Sequence, residues 1–259
     1  MCGIFCSLSK THHVQPETEV AKRLGARGPD SQDSVTTIRR PLTAAADNDN
    51  DGLTYVTLCS TVLSLRGSST VSQPLQTSDK RFTLCWNGEA WTIDGQRPQG
   101  NDTMLILQLL SNVLTQSLRT SDAADVSEDG RKVAQALSRI AGPYAFVFSD
   151  NLRGRVYFGR DFLGRRSLLS SANDRGDLLI PSVTDGSSTA GWKEIEADGV
   201  YVVDLEASDR HCNGFAPVRI PYEFKDQSDG TYGSVGEMVL SFVSSSAHCL
   251  VGRPPTFVK

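Results

Sequence analysis

Apolar and polar residues alternate with a period of two in eight short runs of this chain, and helical spacing stands between them in three places. Ile4–Leu8, Ser34–Arg39, Tyr55–Leu65, Arg81–Trp86, Tyr144–Ser149, Arg155–Gly159, Leu178–Val183 and Val200–Leu205 read as strands, with Asp150–Gly154 as a hairpin loop between two of them. The clearest helix opens at Gly100-Asn101-Asp102-Thr103 and runs through Leu118, with Met104, Leu105, Leu107, Leu109, Leu110, Val113 and Leu114 apolar. A second covers Lys132–Ile140, where Val133, Ala136, Leu137 and Ile140 share one face, after an acidic linker at Ser121–Gly130. A short one at Pro16–Leu24 carries Val20, Ala21 and Leu24 at helical spacing, with Pro16 suited to a first turn. Strands flanking two amphipathic helical regions, without a βαβ rhythm, predict an α+β fold of two packed antiparallel sheets.

After Leu205 the periodicity fades. Pro217, Pro221 and the Asp226–Gly230 stretch are loop-like, and only Val235–Val243 is a possible short element. The expected organisation is one domain over residues 2–206, followed by 207–259 as a linker or a truncated remnant leading to a domain this chain lacks. Residues beyond about 210 are expected to be protease-sensitive and dispensable for activity.

At 259 residues and 39% hydrophobic content the chain can bury a substantial core, and a net charge of −4 argues against gripping nucleic acid. No apolar run approaches the length of a membrane span, and Met1–Phe5 is followed at once by Ser7, Ser9 and Lys10, so no secretory apolar region is read there. Six cysteines lie far apart, unlike a secreted disulfide framework, and a cytoplasmic location with no membrane partner is expected. No metal is expected either. Cys2, Cys6, His12 and His13 lack zinc spacing, and although Asp47, Asp49, Asp51 and Gly52 imitate a calcium loop, its bidentate glutamate would fall on Leu58.

The chemistry begins at Met1-Cys2-Gly3-Ile4-Phe5. Cys2 is either a small buried residue opening an edge strand or, once Met1 is removed, a thiol and an α-amine in one residue. With reference pKa values of about 8.5 and about 7.7–8.0, that pair is a nucleophile with its own base. Downstream stand Arg27-Gly28-Pro29-Asp30 after the first helix, Gln73-Pro74-Leu75, Asn87-Gly88-Glu89 directly after an apolar strand, and Asp102 at a helix mouth. Each has an ordinary reading as turn, punctuation or N-cap. An Asn side-chain amide beside a Gly backbone N–H can also stabilise an oxyanion.

Taken in order, with the long phrase at 141–150 and 158–168, these motifs resemble the class II glutamine amidotransferases of the N-terminal nucleophile (Ntn) hydrolase superfamily, most closely the asparagine synthetase domain-containing proteins. The resemblance implies a four-layer αββα sandwich and a glutaminase half-reaction serving asparagine biosynthesis. It implies Cys2 as nucleophile, Asn87 and Gly88 at the oxyanion, and Asp102, with Glu89, at the ammonium of glutamine. Glu89 alternatively only orients its loop, and Arg160-Asp161 with Gly164-Arg165 shapes the site from behind. The sequence departs from the pattern at Ala26, where a histidine is usual, and at Leu63, where the arginine that pairs with the α-carboxylate would align. Arg66 either takes that role from a shifted register or is a strand-end arginine.

The chain contains no Gly-Gly, no Walker loop and no Gly-x-Gly-x-x-Gly, so no cofactor is expected and ATP would be used only by a synthetase domain or subunit that is absent here. The alternatives are a non-catalytic module or fragment of the same fold, or an Ntn cysteine hydrolase acting on another amide.

Overall fold

Strand β1 (Gly3–Ser9) is buried along its whole length, with Ile4, Cys6 and Leu8 on one face and Phe5 on the other. A strand covered on both faces belongs to the inside of a layered structure. The computed structural model describes residues 1–40, 52–65, 67, 69–117, 125–187, 191–206, 214–225 and 232–234. After β1 come α1 (Thr18–Arg27), β2 (Ser31–Arg39), β3 (Thr54–Val62), β4 (Leu75–Gln76), β5 (Phe82–Gly88), β6 (Thr92–Ile93), α2 (Asp102–Ser117), α3 (Val126–Ser138) and β7 (Ile140–Ala141). They are followed by β8 (Tyr144–Asp150), β9 (Arg155–Arg160), β10 (Leu169–Ala172), β11 (Leu178–Pro181), β12 (Lys193–Glu194), β13 (Gly199–Asp204), β14 (Val218–Pro221), β15 (Glu223–Lys225) and β16 (Tyr232–Ser234).

Two six-stranded sheets form, in the orders β12-β10-β11-β1-β3-β2 and β14-β13-β9-β8-β5-β4. Their strand pairs are antiparallel. Ile4, Cys6, Leu8 and Leu58 of the first sheet meet Cys85, Ala145, Val147 and Phe158 of the second, which makes the central core. On the outer side of the first sheet Phe5 and Cys59 pack on Val20 and Leu24 of α1. On the outer side of the second, Leu84, Trp86, Phe146 and Phe148 pack against Ile106 and Leu110 of α2 and Val133 and Leu137 of α3. The result is the expected four-layer αββα sandwich. Among the described residues no helix is long and apolar enough to cross a membrane.

Two expectations are corrected. Helix α3 begins at Val126, inside the stretch read as an acidic linker, because Asp125 caps Ser127 N and Asp129 is buried beneath Arg153 and Arg155. The second sheet also continues past residue 206. Val218–Pro221 pairs with β13 (Gly199↔Pro221, Val200↔Ile220), and Ile220 and Tyr222 enter the core at 5% and 1% exposure. Most of the Pro41–Gly52 loop (41–51), the possible element Val235–Val243 and Arg66 lie outside the described residues.

Candidate active site

Cys2 stands just before β1, and the register Gly3↔Thr61 sets it beside the end of β3. Its thiol donates to the carbonyl of Leu63 at 3.8 Å, a sulfur distance. Gly3 is needed for this approach, since a Cβ there would stand 2.5 Å from Thr61 Oγ1 and 2.8 Å from Leu24 Cδ2.

The Arg27-Gly28-Pro29-Asp30 turn clamps the same strand end. Asp30 N donates to Val62 O at 3.0 Å, and Asp30 Oδ2 accepts from Ser64 N at 2.7 Å. A Cβ on Gly28 would lie 2.3 Å from the Thr61 carbonyl carbon. Bracketing Leu63 from both sides in this way fixes the backbone that faces the thiol. Arg27 itself reaches across to donate to Ser167 Oγ at 2.9 Å.

Asn87 and Gly88 end β5. Asn87 is 1% exposed and its Nδ2 has no hydrogen-bond partner among the described residues, a costly state for a buried amide that does not meet a ligand. Gly88 sits where a Cβ would strike Tyr144 Cβ at 2.6 Å and Trp86 Cε2 at 2.8 Å. Gln73 braces this strand end against α2: its Oε1 accepts from Trp86 N at 2.6 Å, and its Nε2 donates to Thr103 Oγ1 at 3.4 Å.

At the mouth of α2 the two readings of the acidic residue separate. Asn101 does the capping, its Oδ1 accepting from Thr103 N at 2.9 Å. Asp102, 6% exposed, instead accepts from Ala90 N through Oδ2 at 2.7 Å.

Cys2, Asn87, Gly88, Glu89 and Asp102 line one small cavity of about 50 Å³, together with Met1 and Leu63. Arg66 stands outside the described residues, so its relation to the cavity is not part of this geometry. The cavity holds one charged residue that the sequence reading passed over, Arg166. The signal available is the doubled Arg165-Arg166 at the end of the longest motif, of which the reading of Gly164-Arg165 takes in only the first arginine.

The residues credited with shaping the site from behind do hold that segment. Asp161 accepts from Tyr144 N at 3.0 Å and from Arg165 Nε at 2.9 Å, while Arg160 Nε donates to Arg166 O at 2.6 Å. Burial pushes the Cys2 thiol above its ordinary range. The Leu63 backbone and the positive N-terminus act against that shift, Asp102 adds to it, and Arg166 opposes it.

The family profile described as "Glutamine amidotransferase domain" matches residues 1–201. Among curated proteins the chain is 28% identical over 216 residues to asparagine synthetase domain-containing protein 1 of Homo sapiens, covering 80% of this chain and 29% of that protein. The Mus musculus protein of the same name is 30% identical, over 80% of this chain and 30% of its own length. The chain thus spans about a third of the length of these relatives. Among solved structures, glutamine phosphoribosylpyrophosphate amidotransferase from B. subtilis, complexed with ADP and GMP, aligns with a TM-score of 0.47 at 18% identity, over 84% of this chain and 49% of that one. With the profile spanning more than three quarters of its residues, the chain belongs to the class II glutamine amidotransferase domain family.

Proposed function

We propose that this domain carries out the glutaminase half-reaction, glutamine plus water giving glutamate plus ammonia. The observation that carries the reading is the Asn87 amide, buried without a partner among the described residues in the same cavity as the Cys2 thiol. In this reading Met1 is removed, and the Cys2 α-amine takes the thiol proton as sulfur attacks the γ-carboxamide carbon. Asn87 Nδ2 and the Gly88 N–H receive the oxyanion. The amine then passes its proton to the departing nitrogen as the C–N bond breaks, leaving a γ-glutamyl thioester and ammonia. Water attacks the thioester, its proton returns to the thiolate, and glutamate leaves. Asp102, with Glu89, holds the substrate ammonium.

The names of the relatives support a further step, delivery of ammonia to an asparagine-forming synthetase centre on a partner domain or subunit. A reducing cytoplasmic compartment fits a chemistry that needs Cys2 as a thiol, and Cys6, Cys59 and Cys85 are thiols as well. A second reading, a non-catalytic module of the same fold, has its support in the departures from the family pattern at Ala26 and Leu63. The test is ammonia release from glutamine by protein whose N-terminal mass shows Met1 gone, with asparagine and an acylated amine as control substrates. Glutamine-specific release that Cys2→Ala abolishes supports the reading, and equal release from the controls sinks it.

A further inference from the structure

We propose that Arg166 is the partner of the substrate's α-carboxylate, in place of the strand arginine that Leu63 has displaced, and that it makes the site selective for a free amino acid. This inference rests on the glutaminase reading for the identity of the substrate, and on the cavity itself for the charge pattern.

Three arginines lie on the segment that runs from the end of β9 toward β10, and they have different surroundings. Arg160 pairs with Glu194 at 2.7 Å and Arg165 with Asp161 at 2.9 Å. Arg166 has no acidic partner among the described residues, and its Nε is enclosed with no hydrogen-bond partner. It nevertheless lines the cavity that Cys2 and Asp102 line. A guanidinium carries five donors in a planar fork that matches a carboxylate, and leaving them unmatched in a part-buried place is costly unless an anion arrives.

The neighbourhood sharpens the need for an anion. Arg27 donates to Ser167, the residue next to Arg166, and has its guanidinium pushed below the usual range, first by burial and then by the positive charge of Arg166. The backbone around Arg166 is not loose, because Arg160 Nε holds the Arg166 carbonyl at 2.6 Å and Ser167 Oγ donates to Ser182 O at 2.8 Å. The charge is presented by an anchored loop.

What the anion is follows from the other walls. Glu89 and Asp102 line the same cavity, so a simple anion would meet two carboxylates and a simple cation would meet Arg166. A zwitterion satisfies both, with its ammonium toward Asp102 and its carboxylate toward Arg166. The Leu63 side chain carries no charge to receive a carboxylate, and its carbonyl faces the Cys2 thiol.

The test compares L-glutamine with L-glutaminamide, whose α-carboxylate is replaced by a neutral carboxamide, in the wild type, Arg166→Gln, Arg166→Lys and Arg66→Gln. A charged hydrogen-bond partner gives a wild-type preference for glutamine of about 10- to 100-fold in kcat/KM. In Arg166→Gln that preference should collapse through a higher KM for glutamine, with glutaminamide turnover little changed, and Arg166→Lys should restore part of it. A role limited to holding the loop would weaken both substrates alike.

The proposal is overturned if Arg166→Gln keeps the preference while Arg66→Gln erases it. It is equally overturned if Arg166→Gln lowers kcat for both substrates and raises the pH midpoint of Cys2 alkylation, since the arginine would then be serving the thiolate. Binding is read separately on Cys2→Ala through the rise in Tm produced by glutamine and not by glutaminamide. If the wild type releases no ammonia yet glutamine stabilises Cys2→Ala, and Arg166→Gln removes that stabilisation, the glutaminase reading falls and the carboxylate assignment stands. No stabilisation of Cys2→Ala by glutamine overturns the assignment.

Discussion

Asp102 Oδ2 accepts a hydrogen bond from Ala90 N at 2.7 Å, which latches the first residue of α2 to the loop that follows Asn87-Gly88. The carboxylate therefore has one oxygen committed to the fold, in a cavity that also holds Cys2.

Asp102→Asn keeps an oxygen for Ala90 and removes only the charge. We expect it to weaken glutamine binding by roughly 1.5–3 kcal/mol with Tm almost unchanged, whereas Asp102→Ala should lower both. Calorimetric titration of glutamine alongside thermal melts checks the pair, and equal losses of Tm in the two variants would assign Asp102 to structure alone.

Asn87 is the cleaner probe of transition-state stabilisation, because its buried Nδ2 makes no bond to any of the described residues. Asn87→Ala removes a donor while breaking nothing that the amide nitrogen holds. The expected outcome is a fall in kcat of about 10²–10³ with KM within a few-fold of wild type, as for other oxyanion donors. Steady-state ammonia release measures it, and an unchanged kcat would remove Asn87 from the chemistry.

The N-terminus offers a test that changes no side chain. Any residue left ahead of Cys2 turns its amine into a peptide nitrogen, which cannot carry the proton. A protein with an uncleaved N-terminal extension should fold with the same Tm and release no ammonia, and cleavage to Cys2 should restore activity. Cys6→Ala, by contrast, should cost packing only, since Cys6 is wholly buried between the sheets.

Buried thiols also set an alkaline limit on stability. Burial pushes Cys59 up to about 11 and Cys85 well above the ordinary thiol range. A thiol whose pKa is higher folded than unfolded contributes stability that is whole below the unfolded value, about 8.5, and that is lost as pH rises through the folded value. Denaturant midpoints should therefore fall between about pH 8.5 and 11, with each such thiol contributing a slope that approaches about 1.4 kcal/mol per pH unit. Cys59→Ala should flatten that decline, and an identical slope in the variant would rule Cys59 out as a cause.

The segment after residue 206 is expected to matter, contrary to the reading from its composition. Ile220 and Tyr222 are buried in the core against α3 and the second sheet, and Tyr222 OH donates to Arg160 O at 2.7 Å. Ending the chain at 206 removes both side chains and uncovers β13, at about 1.5–3 kcal/mol for each side chain. Thermal melts of chains ending at 206 and at 225 separate the two views, since equal Tm values would show the segment to be dispensable.

Which strand face meets the central core and which meets a helix, Ile4, Cys6 and Leu8 against Phe5 for example, comes from packing. The sequence alone determined which stretches are strands and helices and that they build two packed antiparallel sheets, because those periods are local. It also determined the local devices that depend on backbone shape or capping chemistry, such as the Gly-Pro end of α1 and the polar opening of α2.

Only the tertiary structure could decide the rest, since those relations are made across the chain. The β14 strand has four residues, with Pro217 just before it and Pro221 as its last, and its place comes from pairing with β13, which no local period reports. Asp129 reads as one more acidic residue until Arg153 and Arg155 fold over it. Cys2, Asn87, Asp102 and Arg166 become one site because β1, β5, α2 and the loop after β9 end at the same cavity. Whether an arginine is structural or waiting for an anion depends on which carboxylates reach it, and Asp161 and Glu194 reach Arg165 and Arg160 while none among the described residues reaches Arg166.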